Sequence, residues 1–341
     1  MMTIGVSGAG GFIASWIVDG LLARGHRVRG TVRNAAKGAP HLQQLAGADD
    51  RLALCSADLL REGSFDSAVA GCDAVVHTAS PYRLHVKDPQ ADLVEPAVKG
   101  TLNVLEACAK APSIRRVVLT SSMAAVTDEP ENGKVLTEAD WNTKSTLERN
   151  PYYYSKTLAE RAAWDFVAER KPQFDLVVIN PFFVMGPSLT PELNSTNKVF
   201  ADILKGSYPG ILSLSWGMVD VRDVAESHIR ALELQAANGR YLCAHDVVPM
   251  RTLAGWMREF GYEENYKIPS LSLDNAIGDV VARLGSYAQP KGVGEYLRTH
   301  LGRTPCYDTA KLRQELGIGF RPVKQSVRET LADLEEWGHL S

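Results

Sequence analysis

The chain has no long apolar run. Nowhere in its 341 residues does a stretch approach the roughly 18–20 apolar residues that a membrane-spanning helix needs, so no membrane partner is expected. Its five cysteines, at positions 55, 72, 108, 243 and 306, are scattered, with no C-x-x-C pair and no histidine cluster beside them. That pattern excludes a disulfide framework and a zinc site, and reads as the reduced thiols of a cytoplasmic protein that holds no metal. Excess positive charge is also missing. The net charge is −3 with 23% charged residues, which leaves no basic stripe for nucleic acid. The opening residues, MMTIGVSGAGGF, lack the basic n-region and cleavage site of a secretory signal. Internal repeats and low-complexity tracts are absent as well.

What is present is an alternation. Short β-branched runs, TIGVS (3–7), HRVRGTVR (26–33), RLALCS (51–56), DAVVHT (73–78), RRVVLTS (115–121) and FDLVVIN (174–180), are separated by segments with helical apolar spacing. Those segments are FIASWIVDGLLARG, GSFDSAVAGC, LVEPAVKGTLNVLEACAKA and SKTLAERAAWDFVAERK. Apolar strands alternating with helices predict an α/β fold with a doubly wound parallel sheet, buried on both faces and wound by right-handed crossovers. Pro96 is expected to kink or divide the helix in which it falls. After about residue 181 proline and glycine become frequent and the alternation loosens. VDVRDVAESHIRALEL and GRYLCA then read as a helix and a strand that return to the sheet. The expected organisation is a dinucleotide-binding domain over 1–181 with 217–248 returning to it, and an interleaved, smaller, mostly helical substrate lobe over 182–216 and 249–341.

GVSGAGGFIASW lies where the first strand must turn into the first helix. Gly8, Gly11 and Ala14 follow the spacing G-x-x-G-x-x-A. Glycines let the backbone approach a pyrophosphate, the helix start offers free N–H groups, and the small third residue lets helix and strand pack. The candidate cofactor loop is therefore Gly8, Gly11, Phe12, Ile13 and Ala14. An NAD site usually carries an acid at the end of the second strand. GTVRNAAK instead has Arg33 there, and no acid follows until Asp49. A guanidinium suits a 2′-phosphate, with Lys37 as a second cation, so NADP(H) is the expected cofactor.

The segment NPYYYSKTLAE sets three tyrosines before a Ser-Lys pair. An ammonium nearby favours the phenolate and makes a tyrosine a useful acid–base group. Residues i and i+3 or i+4 share a helix face, so Lys156 selects Tyr152 or Tyr153 and excludes Tyr154; spacing leaves those two open. Asn150-Pro151 reads as an N-cap followed by proline at the first helical position.

Together with GAGGFIASW, VRGTVRN, ADLL, GCDAVVHTASP, VEPAVKGTLNVL, RRVVLTSSMAAV, VVINPFFVMGP, DVRDVAESHI and YDTAKLRQELG, this segment resembles the extended short-chain dehydrogenase/reductases over nearly the whole chain. The branch is that of dihydroflavonol reductase, cinnamoyl-CoA reductase and the NADPH-dependent methylglyoxal and aldehyde reductases. The resemblance implies a Rossmann fold and puts the family's Tyr-x-x-x-Lys on Tyr152 and Lys156 and its serine on Ser122, with Ser121 a structural neighbour. It further implies that Tyr152 protonates a carbonyl oxygen, that Ser122 hydrogen-bonds it, and that Lys156 binds the nicotinamide ribose. Asp58 and Leu59 match adenine contacts, Thr78, Ala79 and Ser80 match the strand end beside the cofactor, and Pro181 and Val184 match the turn beside the nicotinamide.

The implied activity is NADPH-dependent reduction of a hydrophobic or aryl aldehyde or ketone, by a monomer or homodimer acting on a small-molecule carbonyl. Apolar residues expected along the pocket are Phe182, Phe183, Met185, Ile211, Leu212, Trp216 and Met218, at least half of them core. Two departures count against an acyl-CoA substrate: NPYYYSK replaces the NWYCYGK of plant cinnamoyl-CoA reductases, and Val199 and Asp202 fall where those enzymes carry a His and a Lys. An acyl-CoA reductase remains the alternative within enzymes. An epimerase or dehydratase that retains NAD is opposed by Arg33, and a catalytically silent NADP-binding regulator by the intact Ser-Tyr-Lys set. His77 reads as a core histidine, and the polar segment between Ser122 and Tyr152 as a surface loop near the substrate mouth.

Overall fold

The computed structural model describes residues 1–80 and 88–341. Seven parallel strands form its main sheet: β1 (Thr3–Ser7), β2 (Arg27–Val32), β3 (Leu52–Ser56), β4 (Ala74–His77), β5 (Arg116–Thr120), β6 (Asp175–Pro181) and β7 (Gly239–Cys243). Their spatial order is β3-β2-β1-β4-β5-β6-β7. The order reverses between β1 and β4, and a doubly wound sheet opens a crevice for ligand at the carboxyl ends of its strands at such a point. Helices α1 (Phe12–Ala23) and α4 (Val221–Glu233) cover one face and share an apolar cluster that includes Ile17, Leu21, Val224 and Ile229. Helices α2 (Glu95–Lys110) and α3 (Pro151–Arg170) cover the other, around Val104, Leu105, Ala163 and Phe166. The strands are apolar on both sides because both sides are covered.

Pro96 divides its helix: a π-helical turn, Gln90–Val94, precedes α2, and the proline sits in the first turn of α2, where its missing N–H costs nothing. GSFDSAVAGC forms only one helical turn, Asp66–Val69, between Gly63 and Gly71, both at positive φ. Beyond β6 a separate three-stranded sheet joins Val184–Met185, Ser215–Asp220 and Asp246–Pro249. Later come helices Met250–Glu259, Ala276–Gly285, Lys291–His300, Ala310–Leu316 and Val323–Glu336, with two-residue strands at Ser272–Leu273 and Cys306–Tyr307. Met185, Ile211, Leu212, Trp216 and Met218 are buried in the apolar cluster of this part, with Phe183 packed against it. Among the described residues no helix is long and apolar enough to cross a membrane, and no group of His, Cys, Asp or Glu could hold a metal ion.

Candidate active site

The loop after β1 is shaped by a close approach at Gly8 that a side chain would crowd. Gly8 has φ +63°, and a Cβ there would lie 3.0 Å from the Ala79 Cβ and 3.1 Å from its Cα. The loop is tied to the end of β2 by Gly8 N–H to Thr31 Oγ1 (3.2 Å) and Ala9 N–H to the Thr31 carbonyl (2.9 Å). Gly11 begins α1 with no side-chain cap, and no acid lies in the first turn, so the orphan N–H groups of this helix start are open to an anion. Phe12 and Ile13 are partly exposed, and Ala14 is buried. Two residues past Thr31, Arg33 is exposed, as is Lys37, and neither side chain has a hydrogen bond or ion pair among the described residues. Spacing gave no notice of His41, whose Nε2 lies 3.2 Å from Ser15 Oγ and whose ring borders Gly10.

The end of β4 meets this loop from the other side. Ser7 Oγ accepts from the N–H groups of Thr78 (3.1 Å) and Ala79 (3.0 Å), so its own proton goes to His77 Nδ1 at 2.7 Å. Burial, and then the nearby Lys156, lower His77 to about 3, so it is a neutral core histidine. Thr78 Oγ1 donates to the Ser7 carbonyl. Ser80 Oγ accepts from Lys156 Nζ at 2.9 Å. Asp58 Oδ1 caps the N–H of Leu60 (2.8 Å), and the Leu59 carbonyl accepts from Asn103 (2.7 Å) while its side chain fills the space beside Gly100. Pro181 closes β6, and Val184 opens the short strand that follows.

Helix α3 sorts its tyrosines. Lys156 Nζ lies 5.9 Å from the ring centre of Tyr152. Tyr153 meets Tyr152 edge-on at 5.9 Å and faces His300 at 6.0 Å. Burial lowers the Lys156 ammonium to about 8, while Glu160 raises it. Ser122 is the N-cap of a 3-10 turn, Met123–Ala125, and its Oγ accepts from Ala124 N–H at 3.1 Å. Thr157 of α3 reaches the Ala124 carbonyl at 3.5 Å, which brings the Ser122 turn against the helix. Ser121 is turned the other way and donates to Glu160 Oε2 at 2.5 Å.

Two readings of this region are corrected. Asn150 does start α3, with Pro151 at the first position, but its side chain caps nothing. Its backbone is left-handed, at φ 49° and ψ 58°, a conformation asparagine tolerates better than most residues. Its Nδ2 turns to Asp128 (3.4 Å) and Thr299 (3.5 Å), and its N–H goes to Glu295 Oε2 at 2.9 Å. The segment between Ser122 and Tyr152 is more than a surface loop. Asp128, Asn142 and Ser145 are buried in it and bonded to one another, and Asn142 holds the Ala124 carbonyl at 2.8 Å. The polar composition of residues 127–150 conceals this, because hydrogen-bond partners are not read from composition.

A family model described as the NAD dependent epimerase/dehydratase family matches residues 4–244. Cinnamoyl-CoA reductase CAD2 of Medicago truncatula is 42% identical over 344 residues, covering 97% of this chain and 95% of its own. Tetraketide alpha-pyrone reductase 1 of Arabidopsis thaliana is 39% identical, over 98% and 96%. Among solved structures, Gre2 from Candida albicans in complex with NADPH superimposes with a TM-score of 0.82 at 32% identity, covering 99% of both chains. The family model covers more than half of the chain and these relatives cover nearly all of it: the chain belongs to the NAD dependent epimerase/dehydratase family.

Proposed function

We propose that the chain is an NADP(H)-dependent reductase that converts a hydrophobic or aryl aldehyde or ketone to an alcohol. The single observation that carries the reading is Lys156: a cation lying over Tyr152, bonded to Ser80, at the strand end that packs on the Gly8 loop. The residues present fit the cofactor. The open start of α1, with Gly8, Gly11, Phe12, Ile13 and Ala14, would hold the pyrophosphate, and the unengaged Arg33 and Lys37 the 2′-phosphate. Asp58 and Leu59 would border the adenine, Thr78, Ala79 and Ser80 the strand end, and Pro181 and Val184 the nicotinamide. When bound, NADPH supplies the hydride.

The chain's own groups handle the oxygen. Tyr152 Oη donates its proton to the carbonyl oxygen, Ser122 Oγ hydrogen-bonds the same atom, and the Lys156 ammonium stabilises the phenolate left behind. The dinucleotide part in this reading is 1–181 with 217–248, and the substrate lobe 182–216 with 249–341. The free cysteines support a cytoplasmic setting.

One observation favours a second reading, reduction of an acyl-CoA ester. The Medicago relative named above is a cinnamoyl-CoA reductase, and the charge held against that substrate is weakened here, because Asp202 is paired with Lys198 at 2.6 Å.

The test is NADPH consumption against aryl aldehydes, α-ketocarbonyls, dihydroflavonols and cinnamoyl-CoA. Turnover of simple carbonyls is expected; turnover of the CoA ester alone selects the second reading. Tighter binding of NADH than NADPH would remove the role of Arg33. Because the Lys156 charge is held below about pH 8, reduction should be fastest there and fall as pH rises through that value.

A further inference from the structure

Behind the Ser122–Tyr152–Lys156 site lies a buried carboxylate that the proposed chemistry does not use. Glu160 is one helical turn past Lys156 on α3 and is 1% exposed. Its Oε2 accepts from Ser121 Oγ (2.5 Å) and Asn180 Nδ2 (2.7 Å); its Oε1 accepts from Arg240 Nε (2.6 Å) and Trp164 Nε1 (3.3 Å). The same Asn180 Nδ2 also donates to the Ser122 carbonyl at 3.2 Å. Both neighbours of that amide are acceptors, so its nitrogen must face them, and Oδ1 is left buried without a partner among the described residues. A buried, unmade hydrogen bond is destabilising. The arrangement tolerates that cost and keeps the Ser122 carbonyl held.

Arg240 extends the grip. Its Nη1 donates to the carbonyls of Glu138 (2.9 Å) and Asp140 (2.6 Å), and its guanidinium lies 3.9 Å over the ring of Trp141. One carboxylate thus gathers the strand end that bears Ser122, the strand that leads to Pro181, and the segment that spans Ser122 to Tyr152. All are fastened to the helix that carries Tyr152 and Lys156.

We propose that Glu160, with Arg240 as its counter-ion, is a positioning residue that sets Ser122 against Tyr152 and supplies the anion facing Lys156. This rests on the proposed reductase reading. Among the described residues the groups around Lys156 are few. Tyr152 and Glu160 come from its own helix, the neutral Ser80 hydroxyl comes from the end of β4, and the neutral His77 from β4 itself. Glu160 is the one carboxylate in that set, so its loss acts on the lysine's charge as well as on geometry.

The test compares the full-length wild type with E160Q, S121A and Y152F. Carbonyl turnover is followed from pH 5.5 to about 9.5, a range bracketing the lysine, and NADPH binding is followed by fluorescence. E160Q should lose roughly ten- to a hundredfold in kcat and move the basic limb of kcat/KM down by about one pH unit, with NADPH affinity within about twofold of wild type. S121A, which removes one bond and no charge, should lower kcat by roughly threefold to tenfold with the limb unmoved. If E160Q does not fold, S121A decides: wild-type kcat there overturns the proposal. A folded E160Q whose profile superimposes on wild type also overturns it, while loss of activity in Y152F leaves the reductase reading standing. A wild type that turns over no carbonyl, or a fully active Y152F, sinks that reading and this inference with it.

Discussion

Two helices of the site are entered past a left-handed residue, and they are entered differently. The loop into α1 turns at Gly8, and α3 starts from Asn150, at φ +63° and 49°. At Gly8 the constraint is an absence: positive φ disfavours any side chain, a Cβ would crowd Ala79, and the helix start that follows has neither a side-chain cap nor an acid. At Asn150 the constraint is a set of partners, with the N–H taken by Glu295 and the amide turned to Asp128 and Thr299. One helix start is left open for a ligand's anion; the other is closed by the protein's own carboxylate. An open start requires only small residues nearby in sequence, whereas a closed one needs a side chain 145 residues away.

That contrast can be broken from either side. The largest effect is expected at the group that the closed start holds. Tyr152→Phe should lower kcat by roughly 10²–10⁴-fold with NADPH affinity little changed, as measured by steady-state rates and cofactor fluorescence. Filling the open start comes next. Gly8→Val adds a β-branched side chain at positive φ against Ala79, a strain of about 1–3 kcal/mol, and should weaken NADPH binding by up to roughly a hundredfold. Emptying the closed start is the mildest change. Glu295→Ala leaves the Asn150 N–H unpaired and should cost about 1–3 kcal/mol in a denaturant titration, with kcat falling several-fold and NADPH affinity preserved. Equal losses of NADPH binding in the last two variants would show that the two starts are not independent.

The open start was legible in the sequence and the closed one largely was not, for the same reason. Gly8, Gly11 and Ala14 shape a turn and Arg33 is an exposed charge, all over a short span, so strand, turn and helix periodicity were enough to single them out. The register from Lys156 narrowed the tyrosines to two, and the structure shows Tyr153 facing His300 while Lys156 lies over Tyr152. Glu160 sits at i+4 from Lys156, but its place in the site depends on Arg240, 80 residues later, and it was not singled out. Asn150 was read as a cap because asparagine before proline usually is one. Tertiary partners on Lys291–His300 redirected its side chain, as no local rule would have indicated. The segment around Asp128 is a loop, but its buried polar web went unread because polar composition alone does not distinguish solvated residues from mutually bonded ones.

The left-handed turn at Asn150 also limits how the chain can vary. Saturation of that position should recover glycine alongside asparagine, since both tolerate positive φ, whereas aspartate would set a second carboxylate against Asp128. Valine, isoleucine and threonine should drop out of a selected library, because a branched Cβ does not fit that conformation. The neighbouring tyrosine therefore has a mutational gatekeeper. A pocket redesigned for a new carbonyl compound would do best to diversify elsewhere and leave this single backbone corner fixed.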